Sequence, residues 1–138
     1  MLIQICEGVE AIHRAGIIHR DLKTANVLLC GRDGSQVKIA DLGLSRSVRH
    51  PMHPMTKEVQ SLWYRAPEIL LSNHNYTYAT DYWSIGIIAY EMIHLQHRFP
   101  GTSEIDMLFK IFEQKGTPSF PRSTYDQVDD PKCALYHI

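Results

Sequence analysis

The chain has 138 residues, and its 14 Lys and Arg residues against 15 Asp and Glu residues give a formal net charge of −1. This balance argues against a dedicated nucleic-acid-binding domain and against a polybasic module for a membrane surface. Hydrophobic residues make up 44% of the sequence, but no run of about 18 apolar residues occurs, so we expect a folded globular chain without a membrane-spanning helix.

The first apolar pattern predicts an amphipathic helix at the beginning of the chain. Leu2, Ile5, Val9 and Ile12 recur at helical spacing, and Gly16 stands where a helix can end. We therefore expect the chain to begin inside or at the start of this helix, with no room for a preceding domain and no secretory signal.

Two short apolar runs follow, at residues 27–29 and 37–39. The Gly-containing segment 31–34 lies between them, and this arrangement predicts a β-hairpin of two short strands. Residues 45–62 have no regular hydrophobic period, so we expect a long loop of the kind that is usually functional or disordered.

Two further helices are predicted in the second half of the chain. Residues 79–95 are apolar around most of a helical circumference, which is typical of a buried central helix. Ser103 and Asp106 resemble a capping box, and Gly116 is a suitable helix stop, so we expect another helix between them. The Pro-containing tail after residue 118 gives no regular pattern.

Chemistry-bearing residues are concentrated in one stretch, H-R-D-L-K-T-A-N at residues 19–26, with one more carboxylate at Asp41. Asp21 would accept the proton of an attacking hydroxyl, and Lys23 would neutralise charge on a moving phosphoryl group. Asn26 and Asp41 offer the hard oxygen ligands that Mg²⁺ prefers. Each residue taken alone is more often a turn, cap or surface residue.

Taken together, the motifs resemble the eukaryotic protein kinase family. The H-R-D-L-x-x-x-N motif, a D-x-G triplet at residues 41–43 and A-P-E at residues 66–68 occur in the order typical of that family. W-Y-R-A-P-E at residues 63–68, S-E-I-D at 103–106 and K-G-T-P at 115–118 are similar to the cyclin-dependent kinase branch. The resemblance covers about residues 1–118.

The resemblance implies a role for each matching residue in the catalytic centre. Asp21 is expected to be the catalytic base and Lys23 the phosphate contact. Asn26 and Asp41 are expected to bind Mg²⁺, and Lys23, Asn26 and Asp41 together to bind Mg·ATP. Ser61 stands where the family places a hydroxyl that bonds to Asp21 and Lys23.

Further roles in activation are implied for the loop. Thr56 occupies the activating phosphorylation position of this branch, and a phosphate there would add a charge of about −2. Arg20 and Arg46 would pair with that phosphate through charge-assisted hydrogen bonds. Thr56 with no role beyond loop solvation is the alternative.

The remaining implied roles concern the substrate and the scaffold. In this branch Arg65 accompanies a preference for proline after the target Ser or Thr. His19 is expected to be structural, and Asp81 to hold the backbone of the catalytic loop from the start of the central helix. Glu68 would pair with an Arg that lies beyond the end of this chain.

Histidine and cysteine patterns favour no metal centre. The pairs His50/His53 and His94/His97 have no nearby Cys or acidic ligands at zinc spacing, so we expect surface or core histidines. The three cysteines lie far apart and form no disulfide framework, which favours a reducing, intracellular compartment, either cytoplasm or nucleus.

The expected fold is mainly α with one short β-hairpin: a protein-kinase-like C-terminal lobe, incomplete because the small lobe and the last helices of the large lobe are missing. Residues 1–118 would form this partial kinase domain and residues 119–138 an unmatched tail. Nothing in the sequence resembles the Gly-rich loop, the V-A-I-K lysine or the helix glutamate that pairs with it. We therefore expect the chain alone to bind ATP poorly and to transfer no phosphate.

The expected function is transfer of the γ-phosphate of ATP, with Mg²⁺, to Ser or Thr of protein substrates, directed by a following proline. The alternative is a catalytically inactive kinase-like fragment that acts as a protein-interaction module. The retained base and metal ligands favour the enzyme, and the absent small lobe favours the alternative. A cyclin-like partner is expected by analogy only, and neither nucleic acid nor membrane is expected as a partner.

Overall fold

The computed structural model describes residues 1–48, 61–71 and 76–118. The helices and strands in chain order are α1 (Leu2–Arg14), β1 (Ile17–Ile18), β2 (Val27–Cys30), β3 (Gln36–Ile39), β4 (Arg46–Ser47), α2 (Pro67–Leu70), α3 (Tyr78–His94) and α4 (Glu104–Lys115). Short 3₁₀ turns occupy Thr24–Asn26, Leu42–Leu44 and Leu62–Tyr64.

The predicted first helix is confirmed as α1. It buries Ile5 and Val9 on one face and leaves Ile3 on the other face 74% exposed. Gly16, just after the helix, has a φ of 77°. Since side chains disfavour this left-handed region, glycine allows the sharp turn from α1 into β1.

The predicted hairpin is also confirmed, as the antiparallel pair β2 and β3. Its register runs from Val27 opposite Ile39 to Cys30 opposite Gln36. The side chain of Gln4 in α1 accepts a hydrogen bond from the Val37 N–H at 2.8 Å and donates to the Ser35 carbonyl at 3.0 Å. Gln4 therefore satisfies backbone groups along β3 and ties the hairpin to α1.

The expectation of a fold with one short hairpin as its only sheet is wrong. β1 pairs antiparallel with β4, Ile17 opposite Ser47 and Ile18 opposite Arg46, so the described residues contain two two-stranded sheets, and three of the strands come early in the chain. Strands of two residues are too short to show a period of two, and their pairing is not local. The predicted irregular loop, residues 45–62, is also wrong at its beginning, where β4 lies. Residues 49–60 of that loop lie outside the described residues.

The predicted central helix is confirmed as α3, on which both hydrophobic clusters converge. Its Ile85, Ile87 and Ile88 join the larger cluster with residues of α1 and α4, and Trp83 packs against both clusters. Within the described ranges no helix combines the length and the apolar composition that crossing a bilayer requires.

The capping box predicted for α4 is confirmed with one difference. Ser103 Oγ accepts a hydrogen bond from the Asp106 N–H at 3.2 Å, but the Asp106 carboxylate reaches back to the Thr102 N–H at 2.8 Å. That backbone hydrogen bond is the main cause that holds the pKa of Asp106 below its usual value, and Lys110 adds to it. The shorter Asp side chain thus serves the role that Glu usually has at this position.

Gly101 provides a test of how α4 packs. A Cβ at this position would lie 2.5 Å from Met107 Cγ and 2.9 Å from the Met107 backbone nitrogen. Because backbone cannot yield as a side chain does, we expect Gly101→Ala to lower the free energy of unfolding by about 1–3 kcal/mol in urea denaturation.

The matched control is Gly86→Ala on the exposed side of α3, where a new Cβ meets no atom within 4 Å. We expect this variant to be stabilised by about 0.5–1 kcal/mol, since alanine is the better helix former. Equal unfolding midpoints for the two variants would contradict the described packing.

Candidate active site

One buried carboxylate holds the backbone of the H-R-D loop. Asp81 lies in the first turn of α3 with 0% exposure. Its Oδ2 accepts a hydrogen bond from the His19 N–H at 2.8 Å, and its Oδ1 accepts from the Arg20 N–H at 3.0 Å. His13 of α1 donates from Nε2 to Oδ2 at 2.7 Å. α1, α3 and the loop thus meet at a single side chain.

This contact supports an unusual backbone at Arg20. Its φ is 68°, in the left-handed region that non-glycine residues rarely occupy. Such a conformation costs about 1–3 kcal/mol and persists only where the surroundings fix it. The hydrogen bonds that the two successive N–H groups donate to Asp81 do so here.

His19 connects the loop to the segment that carries Asp41. The ring is fully buried, its Nδ1 accepts from the Asp21 N–H at 3.3 Å, and its Nε2 donates to the Ala40 carbonyl at 3.0 Å. The Ala40 N–H donates in turn to the Asn26 carbonyl at 2.9 Å. The residue before Asp41 is therefore held between His19 and Asn26.

Three side chains converge on the Asp21 carboxylate, which is 4% exposed. Lys23 Nζ lies 2.9 Å from Oδ2, and Asn26 Nδ2 donates to the Asp21 carbonyl at 2.8 Å and to Oδ2 at 3.4 Å. Ser61 donates from its N–H to Oδ1 at 3.0 Å, and its Oγ lies 3.1 Å from Lys23 Nζ. The structure thus brings Asp21, Lys23, Asn26 and Ser61 together from two distant parts of the chain.

Asp41 lies beside this cluster rather than within it. The residue is exposed and has a φ of 64°, and its Oδ1 accepts from the Gly43 N–H at 3.3 Å. Asn26 uses its side-chain nitrogen Nδ2 to bind Asp21, and its side-chain oxygen Oδ1 is the atom that suits a metal ion. These two oxygen donors fit Mg²⁺, which takes one or two protein ligands together with phosphates and water. In the described part of the chain no cluster of three or more His, Cys, Asp or Glu residues forms a metal site.

Positive charge is concentrated next to the loop. Arg20 is 5% exposed, donates from Nε to the Leu44 carbonyl at 2.7 Å, and lies 5.2 Å from the centroid of the Tyr76 ring. Burial, followed by repulsion from Arg46, lowers the pKa of Arg20. The two guanidinium groups are therefore close enough to interact. Thr56, for which a pairing with them is predicted, lies outside the described residues.

Two further predicted residues, Arg65 and Glu68, lie just before and within α2. Arg65 is buried and forms an ion pair with Glu104 at the start of α4. Glu68 is half-buried in the first turn of α2. Neither belongs to the group around Asp21.

Sequence reasoning assigned no site role to several polar side chains that support the loop. Tyr64 Oη lies 2.9 Å from Thr24 Oγ1 and donates to Glu91 Oε2 at 2.8 Å, and His13 binds Asp81. One signal was available for Glu91, because an acidic residue in the buried apolar stretch 79–95 requires a partner. The sequence does not show which partner it has.

The sequence model of the protein kinase domain family matches residues 1–132. This match overturns the expectation of a C-terminal lobe alone. Motif reading depends on a few short patterns, whereas the family match weighs every position and so detects similarity where no motif stands out.

Two curated relatives are similar to most of this chain. "Cell division control protein 2 homolog 3" of Trypanosoma brucei brucei is 51% identical over 118 residues, which cover 86% of this chain and 37% of the relative. "Cyclin-dependent kinase B1-1" of Arabidopsis thaliana is 46% identical over 119 residues, which cover 86% and 38%. The chain thus spans a little over a third of the length of these relatives. It belongs to the eukaryotic protein kinase family, on the cyclin-dependent kinase branch.

Proposed function

We propose that this chain carries the phosphoryl-transfer site of a serine/threonine kinase, which moves the γ-phosphate of Mg·ATP to Ser or Thr of proteins, with a preference for a following proline. The observation that carries the proposal is the convergence of Lys23, Asn26 and Ser61 on the Asp21 carboxylate. Phosphoryl transfer depends mainly on positioning and on charge, and this group supplies both.

In this proposal Asp21 is the base. Ser61 holds Oδ1 in place, so the carboxylate keeps a fixed direction while it accepts the proton of the substrate hydroxyl. The oxygen of the substrate hydroxyl forms the new bond to the γ-phosphorus, and the bond from that phosphorus to the leaving diphosphate oxygen breaks. The Lys23 ammonium neutralises charge on the transferred group.

Asn26 and Asp41 would hold the metal ion. When bound, Mg²⁺ supplies charge neutralisation at the ATP phosphates. The hydrogen bond from the Ala40 N–H to the Asn26 carbonyl keeps the segments that carry these two residues side by side. Asp41 lies two residues beyond the end of β3 and has a left-handed backbone.

Regulation follows from the charge around Arg20. Phosphorylation of Thr56 would give Arg20 and Arg46 an anionic partner, which offsets the repulsion between the two guanidinium groups. In the proposed preference for proline, Arg65 has a role, and its ion pair with Glu104 holds it in place. A cyclin-like partner is proposed from the name of the Arabidopsis relative.

A chimera tests the catalytic role. Residues 1–118 replace the matching segment of the Arabidopsis kinase, and transfer of labelled γ-phosphate to Ser-Pro and Ser-Ala peptides is measured with its cyclin. We expect transfer that favours Ser-Pro, and we expect Asp21→Asn to lower the rate at least about 100-fold, because positioned bases contribute factors of about 10²–10⁴.

The matched control is Asp33→Asn, the same substitution on an exposed carboxylate in the hairpin turn, which should leave the rate unchanged. A folded chimera that transfers no phosphate while its parent does, or one that is indifferent to Asp21→Asn, would refute the proposal.

Metal binding is tested on the full chain itself, with Mn²⁺ as a paramagnetic substitute for Mg²⁺ in the presence of ATP. We expect Asp41→Asn and Asn26→Ala to weaken Mn²⁺ binding by about tenfold or more. Even substitution of a residue that only supports a metal ligand lowers metal affinity by about 10–100-fold. Electron paramagnetic resonance measures the free ion directly. Wild-type affinity in both variants, equal to that of Asp33→Asn, would show that these residues are not ligands.

A further inference from the structure

A row of hydrogen bonds runs from the catalytic loop through α3 to the surface. Thr24 Oγ1 lies 2.9 Å from Tyr64 Oη, and Tyr64 Oη lies 2.8 Å from Glu91 Oε2. Glu91 Oε1 lies 2.7 Å from His97 Nδ1. Thr24 directly follows Lys23, and His97 lies in the loop between α3 and α4. The row therefore joins a residue beside the candidate site to one that contacts water.

The direction of each hydrogen bond follows from the chemistry of Glu91. An ionised carboxylate only accepts, so the single Tyr64 hydroxyl proton and a proton on His97 Nδ1 both point to it. Tyr64 Oη is then left as an acceptor, and Thr24 must donate to it. The order is fixed: Thr24 to Tyr64 to Glu91, and His97 to Glu91.

Burial makes the inner part of this row rigid. Tyr64 is 6% and Glu91 8% exposed. Burial is the main cause that raises the pKa of Tyr64, so its hydroxyl keeps its proton at neutral pH. Hydrogen bonds between buried polar groups are stronger than those in water, and losing a partner there is correspondingly costly.

The outer end is held in place but remains accessible. The His97 side chain is 46% exposed, and its ring lies tilted against that of Trp63 with centroids 4.1 Å apart. Trp63 is itself fixed by a hydrogen bond from Nε1 to the Gly101 carbonyl at 2.9 Å. Among the described residues Glu91 is the charged group that contacts His97. Imidazole is the side chain whose charge changes near neutral pH.

We propose that His97 is a positioning residue for the catalytic loop. When His97 is protonated, its contact with Glu91 becomes an ion pair. Glu91 then accepts a weaker hydrogen bond from Tyr64, and the hydrogen bond between Thr24 and Tyr64 shifts. The geometry at Lys23 and Asn26 then follows the charge on His97. This inference rests on the proposed function and deepens it.

The test uses NMR spectra of the full chain between about pH 5 and 8, without nucleotide or metal. The reporters are the Thr24 backbone amide and the Asn26 side-chain amide, which donates to Asp21. We expect both to titrate with the midpoint of the His97 ring, and we expect His97→Gln to abolish the titration. Tyr64→Phe and Thr24→Val should remove more than half of its amplitude, whereas Thr24→Ser, which retains the hydroxyl, should preserve it.

The matched control is His94→Gln. His94 is exposed at the end of α3, the helix that contains Glu91, and it stacks on Tyr90 rather than joining the row. Its substitution should therefore leave both reporters unchanged. Titration that survives His97→Gln, full amplitude in Tyr64→Phe, or a proton on Nε2 rather than Nδ1 of neutral His97 would overturn the proposal. Because no phosphate is transferred in this experiment, its failure is distinct from failure of the proposed function.

Discussion

Asp81 accepts hydrogen bonds from two successive N–H groups of the H-R-D loop and from His13, and through them α3 sets the position of that loop. Two unfavourable terms meet here. A carboxylate with no exposure is costly unless it is fully bonded, and the left-handed backbone at Arg20 is strained. The two costs in free energy are offset together, because the strained backbone at Arg20 presents the N–H donors that the buried Asp81 carboxylate requires.

The position of the group around Asp21 follows from this anchor. Asp21 directly follows the strained residue, and its carboxylate then receives Lys23, Asn26 and Ser61. His19 adds a second connection, since its ring bonds to both the loop and the segment before Asp41. The proposed function depends on such supports, because small displacements of a base or a metal ligand reduce phosphoryl transfer.

Much of the framework could be predicted from the sequence, for physical reasons that are local. The periodicity of α1 and α3 and the Ser103 cap are properties of a few neighbouring residues. The pairing of β1 with β4 could not be predicted, because two residues carry no period and their partners are distant in sequence. Asp21 and Asn26 stand five residues apart in the motif, and the structure brings their side chains within hydrogen-bonding distance. The links from Glu91 to Tyr64 and His97 depend on how α3 packs, which no local pattern encodes.

Hydrogen exchange in the Asp81→Asn variant tests the anchor most directly. A carboxamide has one accepting oxygen and turns a donor toward one of the two N–H groups. A hydrogen bond to a charged group contributes about 1.5–3 kcal/mol, so the amides of His19 and Arg20 should exchange about 10- to 100-fold faster. The same substitution at Asp106, in the first turn of α4, should leave both amides unchanged. Wild-type protection of both amides in Asp81→Asn would contradict the account.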